Sequence, residues 1–381
     1  MNSLVSQSDL FEIPGGVTYL NCAYMSPQLR SVTEAGREGV ARKATPWQIG
    51  SDDFFSGVET LRERFAALVG GDADGVAVVP SASYGLSLAA SNLAPATGGE
   101  IVVIEDQFPS NVYPWTDLAA RTGGNVVTVT RPDDQDWTAA ILDVVGEATS
   151  VVAVPPCHWT DGTIVDLRAV SDRTREVGAA FVVDGTQWVG AAAIDVDDLQ
   201  PDFLVTAAYK WLLGPYSMCL VWVHPRHRQG RPIEFGWVNR DGADDFAGLV
   251  DYTDLFRSGA RRYDVGETAN FVLVPMLTRA LDQLLEWGVD RVAATISPLA
   301  SAVVELAEPL GFVAPPAELR SPHLVGLTLP EGLYPKQLAS QMAESSVHVS
   351  VRGNVIRVSP HVYNDLGDID RFAQVLSETV G

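Results

Sequence analysis

The chain predicts an α/β fold: a large domain built on a mostly parallel sheet of seven strands, followed by a smaller α+β domain. Two patterns carry that expectation. Between about residues 75 and 225, short β-rich runs that are nearly continuous in apolar residues alternate with helical periodicity, as a parallel sheet covered on both faces requires. After about residue 262 the texture shifts to longer helices and a hairpin. The expected strands are Val76–Val79, Ile101–Glu105, Val126–Thr130, Ser150–Val154, Phe181–Asp184, Phe203–Thr206 and Cys219–Val223. Between them, Phe54, Val58, Leu61, Phe65 and Leu68 recur three or four apart until Gly70-Gly71 ends the helix, and Leu167–Val177 reads the same way. Beyond 262 come a helix over Pro275–Trp287, a second near Ser297–Ala307, a strand at Leu324–Leu329 and a helix around Gln337–Glu344. A hairpin of Val347–Val351 and Val355–Ser359 then turns through Gly353-Asn354, before a closing helix from Asp368. We therefore expect a large domain over 16–262 and a small one formed by 1–15 and 263–381.

At 381 residues the chain is long enough for two such lobes, and its 46% hydrophobic content supports a sizeable core. A net charge of −22 argues against nucleic acid or an anionic membrane as partner, since both demand a basic face. Residues 1–10 lack the basic-then-apolar pattern of a signal peptide, and no apolar run has the length of a membrane span. Cys22, Cys157 and Cys219 are scattered, with no CxxC pair, so a reducing, cytoplasmic setting is the expectation. No metal site is expected. Lysine occurs only at Lys43, Lys210 and Lys336, and of these only Lys210 lies in an apolar, aromatic segment.

In an open parallel sheet, ligands gather beyond the carboxyl ends of the strands. Several predicted strands deliver a reactive residue there. Phe181–Asp184 ends in a carboxylate, Phe203–Thr206 leads to Tyr209-Lys210, Ile101–Glu105 runs on to Phe108, and Val76–Val79 reaches Ser81-Ala82-Ser83 before a helix. Each has an ordinary reading. The Asp caps a turn, the Lys snorkels beside a Trp, the serines cap a helix, and the Phe is core. Together they fit one cofactor, pyridoxal 5′-phosphate. It needs a poorly solvated lysine to carry it, a carboxylate on its pyridine nitrogen, a helix start for its phosphate and an aromatic face for its ring.

These segments resemble the class-V aminotransferases of pyridoxal-phosphate fold type I, a family that includes cysteine desulfurases, kynureninases and isopenicillin-N-epimerase-like proteins. Val-Asp-Gly-Thr-Gln-Trp-Val-Gly at 183–190 is similar to the family's Asp-Gly-x-Gln motif, which implies Asp184 on the pyridine nitrogen and Gln187 on the ring oxygen. The stretch from Asp202-Phe203 through Tyr209-Lys210 to Gly214-Pro215 implies Lys210 as the Schiff-base lysine, with Tyr209 toward the phosphate. Ser81, Ala82 and Ser83 match the phosphate cup, and 108–115 resembles the stacking segment led by Phe108. The stretch 262–270 resembles one that sends a threonine, here Thr268, to the phosphate of a neighbouring subunit, which implies a homodimer with shared active sites. Ile-Arg-Val-Ser-Pro-His-Val-Tyr-Asn at 356–364 implies that Arg357 clamps a substrate carboxylate, with Asn21 as a further substrate-binding candidate.

Departures from the family pattern narrow the reaction. Residues 345–352, where desulfurases carry a persulfide-forming cysteine, hold none, and Ala207-Ala208 stand where a phosphate-binding serine is usual. His158 is either a second acid–base group beside the substrate or a hydrogen-bonded structural histidine. The expected activity is a β-eliminating C–S lyase on cysteine or a cysteine S-conjugate, with Lys210 and His158 as catalytic candidates. Transamination, epimerisation and decarboxylating deamination are the alternatives. A nicotinamide-dependent Rossmann enzyme is disfavoured because no G-x-G-x-x-G follows the first strands, and a non-catalytic role because Lys210 is present.

Overall fold

A computed structural model describes residues 3–380. In chain order the elements are β1 (Thr18–Tyr19), α1 (Arg30–Arg42), α2 (Ser56–Val69), β2 (Val76–Val79), α3 (Ala82–Asn92), β3 (Glu100–Ile104), α4 (Tyr113–Thr122) and β4 (Asn125–Val129). Then follow α5 (Trp137–Val144), β5 (Thr149–Val154), α6 (Leu167–Val177), β6 (Ala180–Asp184), α7 (Val196–Leu199), β7 (Phe203–Ala207) and β8 (Cys219–Val223). The remainder comprises α8 (Leu273–Trp287), α9 (Val289–Ala307), β9 (Val325–Thr328), α10 (Pro335–Glu344), β10 (Val347–His348), β11 (Ser350–Arg352), β12 (Val355–Val358) and α11 (Leu366–Val380). Short 3-10 turns connect several of them.

Seven strands form one sheet in the order β2-β8-β7-β6-β5-β3-β4. β8 alone runs antiparallel, against both β7 and β2, so β2 keeps the direction of the other five. Alternate residues of each strand enter different cores, which is why the apolar runs are continuous. Val76 and Val78 face the layer of α1, α2 and α8, while Ala77 and Val79 face the layer of α3. Because β2, β3, β5, β6 and β7 share one direction, the segments after Val79, Ile104, Val154, Asp184 and Ala207 all emerge at one edge. That edge is where the reactive residues gather.

The helices stop and start where local chemistry dictates. Gly70, at φ 73°, ends α2 in the left-handed conformation that glycine adopts without strain. Asp166 caps α6 by accepting from the N–H groups of Arg168 and Ala169. Ser81 does the same for α3 through the N–H of Tyr84. Inside α2, fully buried Arg62 is ion-paired with buried Asp264, whose other oxygen accepts from the N–H of Val78, tying helix to sheet.

The second lobe packs α9 and α10 on the three-stranded antiparallel sheet β11-β12-β9, with α11 lying against α9, α10 and the β1–β10 pair. Here the packing departs from the sequence texture. Leu277, Leu281 and Leu284 of α8 lie in the large lobe's core, as do Val292 and Ile296 of α9; full burial of each such side chain contributes about 2 kcal/mol. From Leu299 onward α9 joins the small core, and Pro298 marks the handover. β1 pairs with β10, and Leu20 lies in the small core. Pro298 therefore marks where the packing passes from the large core to the small one, and of the N-terminal segment it is β1 and Leu20 that join the small lobe, since Leu4 and Phe11 lie in the large core. A change of periodicity reports the kind of element, not the core in which it is buried.

Candidate active site

β7 is buried throughout and runs into a tight turn, in which the carbonyl of Ala208 accepts from the N–H of Gly214 and that of Lys210 from Leu213. The turn leaves Lys210 only 8% exposed, its Nζ 5.7 Å from the ring centre of Phe108 and 5.6 Å from that of Tyr209. Burial, then the nearby Arg357 charge, pushes the amine down to about 7, against a smaller opposing pull from Asp184. Asp184 closes β6 and is likewise buried, with its carboxylate accepting from the N–H of Thr186 at 3.1 Å. Burial pushes this carboxyl up, opposed by its hydrogen bonds to Thr186 and by Lys210.

Between these two residues lies a cavity of about 420 Å³. Ser81, Ala82 and Ser83 line its far side at the start of α3, the hydroxyls of Ser81 and Ser83 being 2.8 Å apart. Phe108, Gln187 and Tyr209 complete the predicted set. The amide of Gln187 is oriented unambiguously: Trp211 Nε1, a donor only, reaches Oε1 at 2.8 Å. Nε2 then donates one hydrogen to the carbonyl of Ala23 and keeps one free.

A smaller chamber of about 250 Å³ adjoins the first, sharing Phe108, Trp159, Tyr209, Lys210 and Tyr216 with it. Arg357 lines this chamber at 1% exposure. Its Nη1 donates to the carbonyl of Trp159 at 2.7 Å, while Nε and Nη2 have no partner. Burial, and then the charge of Arg352, brings the guanidinium down to about 9. A buried group with two unpartnered donors is built to receive a planar anion such as a carboxylate.

Three candidates are not brought to either cavity. His158 is fully buried, stacked on Trp137 at 5.4 Å, with one ring nitrogen 2.7 Å from the Thr160 hydroxyl and the other 3.0 Å from the carbonyl of Glu105. Of its two sequence readings, this geometry is that of the structural histidine; its neighbours Cys157 and Trp159 line the cofactor-sized cavity instead. Asn21 forms a backbone bridge to Ser359, and its buried Oδ1 lacks a partner. Thr268 is buried with its hydroxyl unpartnered.

Arg352 lines the small chamber beside Arg357. The register pairs Ser350 with Arg357 and Arg352 with Val355, so both arginines project from one face of the hairpin. That alternation across Gly353-Asn354 was the available signal. Arg257, by contrast, pairs with Glu59 at 3.1 Å. Trp159 lines both cavities, whereas Trp115 is core and Trp47 is exposed. Among the described residues there is no cluster that could hold a metal ion, and no helix is long and apolar enough to cross a membrane.

Known proteins resemble the chain over most of its length. The family model for aminotransferase class-V covers residues 48–372. The chain is 26% identical over 326 residues to an uncharacterized aminotransferase, YcbU, of Bacillus subtilis, covering 84% of this chain and 82% of that protein. It is also 26% identical over 335 residues to isopenicillin N epimerase of Streptomyces clavuligerus, covering 84% of each. In fold it is similar to a variant of C-DES that has glycine covalently linked to its PLP cofactor, with a TM-score of 0.89 at 17% identity, covering 98% of this chain and 99% of that one. The residues present fit that cofactor. A buried carboxylate without an ion pair among the described residues, a depressed amine, a helix start bearing two hydroxyls and an aromatic ring surround one cavity. The chain belongs to the class-V aminotransferase family and is a pyridoxal-phosphate enzyme of fold type I.

Proposed function

We propose that this enzyme is a β-eliminating C–S lyase acting on cysteine or a cysteine S-conjugate. One observation carries the reading: no thiol lines the chamber of Arg357, so sulfur released there has no enzyme group to receive it. Cys22, Cys157 and Cys219 are all fully buried, and burial pushes each thiol well up. Only Cys157 borders the larger cavity, with its Sγ 3.6 Å from the carbonyl of Gln187.

Pyridoxal phosphate, when bound, supplies an aldehyde for the substrate amine and a ring that accepts the electrons released at Cα. Lys210 is assigned as its attachment point, Asp184 as partner of the ring nitrogen and Gln187 as donor to the ring oxygen. The α3 N-terminus with Ser81 and Ser83 is assigned to the phosphate, and Phe108 to the ring face. The remaining steps belong to the chain. Arg357, held in plane by the Trp159 carbonyl, grips the substrate carboxylate with Nε and Nη2. Lys210, held to about 7, has a large neutral fraction near neutral pH and takes the proton from Cα. Phe108, Trp159 and Tyr216 supply aromatic walls to the chamber in which that proton is taken. The Cα–H and Cβ–S bonds break, and the net change converts RSCH2CH(NH3+)COO− and water into RSH, pyruvate and ammonium. The reading includes a homodimer in which Thr268 serves the neighbouring subunit's phosphate.

The test is product analysis of holoenzyme mixed with cysteine, S-conjugates and common amino donors, with Lys210→Ala as the blank. Thiol and pyruvate in equal amounts are expected. Pyridoxamine phosphate accumulating with a keto acid, and no thiol, would leave an aminotransferase instead.

A further inference from the structure

The small chamber is lined by Lys210, Arg352 and Arg357 and by no carboxylate. In a chain with 48 acidic residues against 26 lysines and arginines, that is a local inversion of charge. Neither arginine has a carboxylate close enough to favour its charge; the groups that oppose burial are Tyr24 for Arg352 and the Cys157, Cys22 and Tyr19 side chains for Arg357. Arg352 donates Nη1 to the carbonyl of Val351, while its buried Nε has no partner. Its guanidinium lies 5.4 Å from the ring centre of Trp159, in cation–π contact. One substrate carboxylate at Arg357 leaves this second cation uncompensated.

We propose, resting on the amino-acid chemistry above, that the chamber selects substrates with a second, short acidic group, such as a carboxylate on the sulfur substituent, which Arg352 receives beside the face of Trp159. The limit on length comes from what lies beyond. Past Arg352 and Trp159 the chamber gives way to a wider cleft of about 710 Å³ bordered by Asp106, Asp133 and Asp161. Only Asp161 of these three is ion-paired among the described residues, with Arg131 at 2.5 Å. A longer anionic tail meets like charge there, whereas a short one ends between the arginines.

Succinate, succinamate and propionate test this without turnover, since none has an amine or a leaving group. Their dissociation constants on pyridoxal-phosphate holoenzyme, from calorimetry, are expected to place succinate about tenfold tighter than succinamate, as a charge-assisted contact implies. Arg352→Gln erases that preference and Arg352→Lys keeps most of it; the cofactor absorbance of each variant reports an intact site. Equal binding of succinate and succinamate by the wild-type enzyme, or a preference that survives in Arg352→Gln, overturns the assignment. Thiol release without a succinate preference rejects the selectivity and leaves the lyase reading; a preference without thiol release does the reverse.

Discussion

Arg357 is expected to be a liability for folding that the chain carries for binding, and replacing it with methionine should show both sides. The guanidinium is 1% exposed, has two nitrogens without partners and is held to about 9. A free arginine ionises near about 12.5, and each pH unit of difference is worth about 1.4 kcal/mol. The buried charge therefore costs on the order of 4–5 kcal/mol at neutral pH. Methionine removes that cost, loses the hydrogen bond to Trp159, worth about 1 kcal/mol, and packs imperfectly for about another. Arg357→Met apo-protein should then resist urea unfolding by about 2–3 kcal/mol more than the wild type at pH 7. The sign with pH follows from a folded value below the unfolded one: the cost is fully present below about 9 and fades as pH rises through that value. The two stabilities therefore converge on the alkaline side. The same variant should bind a carboxylate substrate at least about a hundredfold more weakly, having lost two charge-assisted hydrogen bonds. A variant that unfolds at lower urea than the wild type at pH 7 would refute the reasoning, because it would mean that the guanidinium stabilises the fold.

Three further outcomes follow from the same geometry. The rate at which apo-protein captures pyridoxal phosphate, followed by absorbance in a pH series, should rise through about 7 as Lys210 loses its proton, and the midpoint should move upward in Arg357→Met. Since the folded value of Lys210 also lies below its unfolded one, its burden on stability is complete below about 7 and is relieved as pH rises. Arg62→Leu should destabilise the fold by about 3–5 kcal/mol in denaturant titration, because it strands the buried carboxylate of Asp264, and Asp264→Asn in that background should recover part of the loss. His158→Gln should lower the melting temperature yet leave the pH profile of kcat/KM unchanged; an ionisation that disappears from that profile would restore the histidine to the catalytic set.

The strands were legible because their signal is local. Strands buried on both faces need unbroken apolar runs, and the observed ones fall within a residue of the expected positions at Val76–Val79, Phe203–Ala207 and Cys219–Val223. Lys210 and Asp184 stood out for the same reason, as ionisable residues at the ends of such runs. His158 and Arg352 could not be placed from the sequence alone. A histidine after an apolar strand looks the same whether its ring turns into the core or out to a ligand, and Trp137 and Thr160 decide between them. An arginine before a Gly-Asn turn reads as a surface charge until its strand is paired.

Taken by itself, then, the sequence determined the seven strands of the main sheet, the cofactor chemistry and the edge of the sheet at which it gathers, since these depend on residue type and short spacings. By contrast, α1, the first half of α9 and the split of Val347–Val351 between β10 and β11 emerged only in the fold. Tertiary structure alone decided that β8 reverses direction, that α8 belongs to the large core, and that Arg352 joins Arg357 in an acid-free chamber. Each of those rests on contacts between segments far apart in the chain, where burial and pairing depend on the partner.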